Sequence, residues 1–338
     1  MSNNQLDFLA FGDVVIDNFI ALKEKHTRIE DKDEEESQHG KEMCINFGDK
    51  IPYEDSVEVP AVGNSPNASV SAYRLGLNSA IATDIGNDRY GDRIREQFEK
   101  EGVSTAYLRV HEGLPSNYHF VLRYKEERTI LVKHTEYPYE MPDVSPAPKW
   151  LYLSSLAENS LPYHEMIAEW LEAHSDVKLA LQPGTFQMKL GYEKLKRLYE
   201  RAQTFFCNKQ EAQRILDTTE SEMPTLLHMM QKLGPDMPVI TDGPQGAYVL
   251  ANGEIWHQPM YPDPAPPVDR TGAGDSFSST FTSALALGKE PKEALQWGPV
   301  NSMSVVQHIG AQEGLLTREK LEEHLANAPE HYVPTQIN

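Results

Sequence analysis

An α/β fold, with a mainly parallel sheet covered by helices, is the class this chain predicts, and two observations predict it. The first is alternation. From residue 150 onward, strand-like apolar runs take turns with helix-period segments: Trp150–Leu153 then Tyr163–Ala173, Val177–Leu181 then Tyr192–Ala202, Thr204–Cys207 then Gln210–Leu216. Strands joined through helices close as right-handed crossovers into a parallel sheet, whose ligands bind beyond the carboxyl ends of the strands. The second observation is the stretch Asp269-Arg270-Thr271-Gly272-Ala273-Gly274-Asp275-Ser276-Phe277. Phe277, Phe281 and Leu285 follow at helical spacing, which puts Gly272–Gly274 at a helix N-terminus. Glycines there let backbone N–H groups turn inward, and the helix dipole adds partial positive charge, so a phosphate can be held without a lysine. Asp275 in that first turn is either a plain helix cap or a base that takes a proton from an attacking hydroxyl.

Length and charge narrow the function. The chain has 338 residues, a formal charge of -20 and a pI near 5.0. That balance argues against a nucleic acid polymer as partner, because such binding rests on clustered Lys and Arg. No apolar run is long enough to span a bilayer, and Met1-Ser2-Asn3-Asn4-Gln5 lacks the basic and apolar regions of a signal peptide, so a cytoplasmic protein without membrane contact is expected. Cys44 and Cys207 stand far apart without metal-ligand spacing and read as reduced thiols.

The string Asp-x-Thr-Gly-Ala-Gly-Asp-x-Phe closely resembles the C-terminal signature of the ribokinase-like, or PfkB, family of sugar and nucleoside kinases. The resemblance implies one kinase domain over residues 1–338: a three-layer sandwich with a central mainly parallel sheet flanked by helices, and a small β-sheet as lid. It makes Asp275 the catalytic base and the amides of Gly272, Ala273 and Gly274 the anion hole.

In chain order, Leu6–Phe11 is an apolar run that Gly12-Asp13 interrupts and Val14–Asp17 continues, which fits a buried first strand with an acidic exit. By resemblance Asp17 bonds substrate hydroxyls; by itself it is an ordinary strand-end carboxylate, and Asp13 has no assigned role. Periodicity lapses over about 25–55, where Arg28–Glu36 is mostly acidic and reads as a solvated insert. The resemblance places lid strands at about 14–62 and 105–135, so the insert decorates the lid. Ser65 and Pro66 read as cap and first residue of a helix that ends near Arg74. Gly63, Asn67 and Arg74-Leu75-Gly76 match the family's N-terminal sugar-contacting signature, with Val62 where its first Gly stands. Ser79–Thr83 reads as a strand leading into Gly86-Asn87-Asp88, to which no chemistry is assigned. Tyr118–Tyr124 and Arg128–Lys133, joined by Lys125-Glu126-Glu127, read as a hairpin, with Arg123 and Lys133 as basic candidates for a sugar phosphate.

Asn208 and Glu211 sit at the spacing of a capping box. The resemblance makes them organisers of Mg²⁺ through water, which suits a cation that keeps much of its hydration shell. Thr241, Gly243 and Gly246 resemble the family's nucleotide turn. Asn301–Ile309 reads as a helix, and the resemblance implies Asn301 and His308 on the adenine side and Asp269 and Thr271 as residues for K⁺. The chain has no Gly-x-x-x-x-Gly-Lys-Ser/Thr loop, in keeping with amides in place of a lysine. The function implied is an ATP- and Mg²⁺-dependent kinase of a sugar or nucleoside hydroxyl. A sugar-phosphate acceptor, or a catalytically silent sugar- or nucleotide-binding sensor or scaffold, are the alternatives, and relatives suggest a homodimer through the lid.

Overall fold

The computed structural model describes residues 5–32, 40–125 and 127–337; Asp33–Glu36 of the acidic run, and Glu126 of the hairpin connection, lie outside them. A ten-stranded sheet runs from Ser104–His111 at one edge through Ser79–Gly86, Phe8–Phe11, Trp150–Leu153, Lys178–Leu181 and Ala202–Asn208 to Met237–Thr241, all parallel. Ala247–Ala251, Glu254–Gln258 and Thr335–Ile337 complete it antiparallel.

The strand Phe8–Phe11 shows why the sheet has two covered faces. All four of its side chains are buried, with Phe8 and Ala10 in one apolar cluster and Leu9 and Phe11 in the other. A strand buried on both sides reads as a continuous apolar run because successive residues point to opposite faces. Phe277, Phe281 and Val300, from helices Ala273–Ala286 and Pro291–Val305, share the cluster of Phe8. Ile167, Leu195 and Leu226, from helices Leu161–Ala173, Tyr192–Arg201 and Met223–Lys232, share that of Leu9.

A second sheet of four strands, in the order Tyr53–Val62, Val15–Leu22, Tyr118–Tyr124 and Glu127–Leu131, is the lid. Its register sets Asp17 beside His119 and Phe19 beside Val121, so these alternate residues share one face.

Five boundaries differ from expectation. Val15–Leu22 is a lid strand and not a continuation of Phe8–Phe11: the chain leaves the large sheet at Gly12, where a Cβ would stand 2.5 Å from Ser65 Oγ. Ser104–His111, expected with the lid, pairs with Ser79–Gly86 as the edge of the large sheet. The first helix starts at Asn64 with Gly63 at its cap, φ 127°. Ser65 cannot cap it, because its hydroxyl donates to Phe11 O at 2.6 Å. The helix expected at Asn301–Ile309 runs Pro291–Val305 instead, with Pro291 at its first turn and Pro299 inside it. Within the insert, Thr27–Asp31 and Lys41–Ile45 pair antiparallel as a two-stranded ribbon where a loop was expected. No helix among the described residues is long and apolar enough to cross a membrane.

Candidate active site

Every parallel strand near the middle of the large sheet ends at one cavity of about 640 Å³, roofed by the lid. Asp13 follows the first strand, Ser155 the Trp150–Leu153 strand and Gln182 the Lys178–Leu181 strand, while Asn208 and Thr241 end their own; all line the cavity. The helix Ala273–Ala286 points its N-terminus into it.

The local sequence forces that N-terminus into shape. Gly272 is its cap at φ 81°, a conformation that costs an L-residue about 1–2 kcal/mol, and a Cβ there would lie 2.2 Å from that of Ala311. Thr271 N–H and its hydroxyl donate to Asp269 Oδ1 at 3.0 and 2.7 Å, and Gly310 N–H donates to Asp269 Oδ2 at 3.0 Å. Buried Asp269 thus ties the loop before the helix to the loop that packs on it. Ser278 and Thr282 hydroxyls turn back onto the Gly274 and Ser278 carbonyls, both at 2.8 Å, as short hydroxyl side chains in helices do. The Gly272 and Gly274 N–H groups make no hydrogen bond to described residues, and that of Ala273 makes only a long one, 3.4 Å, to Arg270 O. Unpaired N–H groups at a helix start are the donors an anion needs.

Asp275 lies in a cage of amides. Asn64 Nδ2 and Gln182 Nε2 donate to its Oδ1 at 2.8 and 3.0 Å, and Asn67 Nδ2 donates to its Oδ2 at 2.8 Å. Two of these donors are themselves oriented. The buried Tyr152 hydroxyl donates to Gln182 Oε1, turning Gln182 Nε2 towards Asp275. Gln312 Nε2 donates to Asn67 Oδ1 at 3.0 Å and to Ala61 O at 2.7 Å, doing the same for Asn67. Burial raises the Asp275 carboxyl above its ordinary range, and the hydrogen bonds from Asn67, Gln182 and Asn64 pull it partly back. Burial also pushes the Tyr152 phenol well up, so it stays a donor.

Asn208 and Glu211 form the capping box. Asn208 Oδ1 accepts from Glu211 N–H and Glu211 Oε2 from Asn208 N–H, both at 2.8 Å. Both line the cavity, and burial raises the Glu211 carboxyl, with Asp275 adding to the rise from across it. At the lid end, buried Asp17 faces His119, Nδ1 to Oδ1 3.5 Å, and buried Asp13 faces His134, Nδ1 to Oδ2 3.3 Å. Asp13 also accepts the Tyr139 hydroxyl at 2.8 Å.

The cavity therefore gathers Asp17, Gly63, Asn67, Asn208, Glu211, Thr241, Thr271 and Gly272–Asp275 of the residues named from sequence. It does not take them all. Asn301 is fully buried: its Nδ2 donates to Thr280 Oγ1 at 2.7 Å and its Oδ1 accepts Leu316 N–H at 2.9 Å. Such an amide joins two helices and the chain after them, and its burial away from the cavity keeps it from a nucleotide bound there. His308 is exposed and lies away from the cavity lining. Gly246 is buried, with a Cβ position 2.1 Å from Gln258 O, so it serves close approach of two strands; Gly243 is exposed at the same turn and does not line the cavity. Arg123 and Lys133 do not line it either, whereas Arg128 and Lys189 do. Val62 is accommodated where the motif differs, buried at the lid base beside Val15. Sequence reading missed Asn64, Gln182, Arg128, His119 and His134. Only Asn64 carried a signal, standing three residues before Asn67 on the same side of a helix.

A parallel sheet ending at an anion-binding helix start, with a caged carboxylate beneath a lid, is the equipment of a phosphotransferase. The comparisons agree: residues 34–318 match the model of the pfkB family carbohydrate kinases, and the chain belongs to that family. It is an enzyme, a kinase with an alcohol group as acceptor. Ribokinase of Bacillus subtilis is 28% identical over 275 residues, covering 78% of this chain and 87% of its own. The structure of Arabidopsis thaliana ribokinase complexed with ribose and ATP superposes with a TM-score of 0.78 at 19% identity, covering 95% of this chain and 99% of that one. An E. coli chain named as a ribokinase II and solved with ATP and Mg²⁺ does so with a TM-score of 0.72 at 15% identity, covering 95% and 99%.

Proposed function

We propose that the enzyme transfers the γ-phosphoryl group of ATP to a sugar-type hydroxyl, with Asp275 as general base and the free N–H groups at Gly272–Gly274 as the anion hole. The observation that carries this reading is the amide cage. A carboxylate held by three side-chain amides, two of them fixed from behind, is aimed into the cavity beside unpaired helix N–H groups. A structural cap would bond its own helix, and Asp275 does not. The base takes the proton of the attacking hydroxyl while the amides stabilise charge on the transferring group. Asp17 accepts from an acceptor hydroxyl, and Thr241 lies on the nucleotide side. Asn64, Asn67 and Gln182 position the base, so Asn67 works here through Asp275 rather than through the acceptor.

Mg²⁺ fits Asn208 and Glu211 as a water-mediated site. The capping box uses one lone pair of Asn208 Oδ1 and Glu211 Oε2, which leaves the second lone pair of Asn208 Oδ1 and Glu211 Oε1 for the waters of a hydrated cation that would neutralise phosphate charge. Cap and metal roles separate experimentally. Asn208→Ala is expected to cost about 1 kcal/mol of stability and to raise the Mg²⁺ concentration needed for half-maximal rate. Asn208→Ser, which still caps, should restore the melting temperature but not the Mg²⁺ requirement. Restoration of both would make the site a cap alone. For K⁺, Asp269 and Thr271 bond each other and brace the loop, so that reading rests on the resemblance only.

ADP release with ATP and Mg²⁺ against sugars, nucleosides and sugar phosphates tests the reaction: one acceptor class should drive it, and no stimulation by any would count against the reading. Tyr152→Phe tests the cage. Without the hydroxyl, Gln182 no longer holds its donor on Asp275, the carboxylate loses stabilisation and its pKa rises. Because the base works ionised, the acidic limb of kcat/KM then moves to higher pH. A net hydrogen bond of about 0.5–1.5 kcal/mol corresponds to a loss of about two- to tenfold on that limb, with a smaller effect on the high-pH plateau. A loss equal at all pH values would place Tyr152 outside the cage.

A further inference from the structure

Four polar atoms on the lid side of the cavity are shielded from water and make no well-formed hydrogen bond to a described residue: His119 Nε2 and Arg128 Nε, which face no partner, and Asp17 Oδ1 and His134 Nδ1, which have only the 3.5 and 3.3 Å ion-pair approaches already described. Buried polar atoms are nearly always bonded, and each one left bare costs about 1–3 kcal/mol. The two nitrogens without a partner, His119 Nε2 and Arg128 Nε, mark a wall that a ligand completes.

Their chemistry says what kind of ligand. Asp17 and Asp13 each face an imidazole, and the His119 and His134 rings meet edge-on at 5.1 Å. Arg128 has no described carboxylate within ion-pair distance, though its charge reaches the Asp275 carboxyl across the cavity. It makes no ion pair with a described residue, in a chain with 51 acidic against 31 basic residues. Arg74, Arg93 and Arg109, by contrast, each hold a carboxylate within 3.1 Å. A guanidinium is always charged, and its planar fork matches the oxygens of a phosphate or carboxylate. Lys189, which also lines the cavity, has no carboxylate partner among described residues either, its amine lying 5.3 Å over the Phe186 ring. Along this strand the alternation Arg128, Ile130, Val132 makes the guanidinium the polar group among apolar cavity-lining neighbours.

We infer that the acceptor is an anionic sugar derivative, whose phosphate or carboxylate binds Arg128 with His119, while Asp17 accepts from one of its hydroxyls. This rests on the kinase reading of the cavity and names its substrate class. Arg128 is the specificity-determining residue.

The test pairs each neutral sugar with a charged form: ribose with ribose 5-phosphate, fructose with fructose 6-phosphate, glucose with gluconate. Each is assayed for ADP release with ATP and Mg²⁺, and titrated calorimetrically without nucleotide. At least one charged member should exceed its parent about tenfold or more, both in kcat/KM and in affinity, and the pair that separates distinguishes phosphate from carboxylate. Arg128→Gln should cut that ratio about tenfold to hundredfold, mainly through KM, with Arg128→Lys recovering part of it. Lys133→Gln, outside the cavity, should leave the ratio as it is. Preference for the neutral member in every pair, or no preference, overturns the inference. So does an equal loss for both members in Arg128→Gln, which would give Arg128 to the transferring phosphoryl group. Arg128-dependent binding of a charged member without ADP release would sustain the inference and remove the kinase reading; turnover of neutral members alone would do the reverse.

Discussion

Asp275→Asn is expected to lower kcat by about 10³- to 10⁴-fold, the share that a well-placed general base contributes, while ATP still binds. At about 1.36 kcal/mol per factor of ten this is a loss of about 4–5.5 kcal/mol of transition-state stabilisation. The cage makes the effect larger than a simple loss of charge. Asn64, Gln182 and Asn67 all present N–H groups to the carboxylate, on both of its oxygens. An amide at 275 offers one acceptor and must turn its own NH₂ towards a fixed donor, whichever way it flips. Asn67 loses its acceptor in one flip, Asn64 and Gln182 in the other, so at least one donor is stranded, at a cost of about 1–3 kcal/mol in stability. Thermal unfolding and ATP titration of the variant, beside its kcat, separate the two effects. Retention of more than about a tenth of the parent rate would mean that Asp275 is not the base. The pH dependence of the parent follows from the same site. Burial holds the Asp275 carboxyl above its ordinary range, so activity should be lost on acidification at a pH higher than an exposed aspartate would give.

The second large effect separates two glycines of one motif. Gly272→Ala must adopt φ near 81° and put its methyl 2.2 Å from Ala311 Cβ and 2.7 Å from Ala311 Cα. Backbone has to give on one side or the other, which moves the first N–H groups of the helix. Displacing a preorganised oxyanion donor costs about 10²- to 10³-fold in kcat, and here a fall in melting temperature should accompany it. Gly274→Ala has neither problem: its φ is ordinary for a helix and nothing lies within 4 Å of the added carbon. That methyl meets only what enters the cavity, so its effect should fall on the KM for ATP, with stability unchanged or slightly raised. Equal losses of stability in the two variants would refute this account of Gly272.

Much of this architecture was written in local pattern. Continuous apolar runs at Phe8–Phe11 and Trp150–Leu153 announce strands covered on both faces. The helix start at Gly272–Gly274 is readable because glycine and helical period are local properties, as is the capping box at Asn208 and Glu211. What sequence could not decide is where a polar side chain spends its hydrogen bonds. Asn67 and Asn301 look alike as asparagines on helices. One reaches across 208 positions to Asp275, while the other is consumed between Thr280 and Leu316. Gln182 follows a strand end legible from sequence, but nothing about a glutamine shows that Tyr152 will turn it towards a base. The same holds at the lid, where Arg123, Arg128 and Lys133 are equivalent basic residues on a hairpin until the folded lid puts one of them in the cavity. Periodicity and turn chemistry are carried by neighbours along the chain, so the sequence by itself determined the sheet, the helices and the anion-binding turn. Burial and amide orientation here depend on partners from 15 to 208 residues away, and those the tertiary structure alone decided.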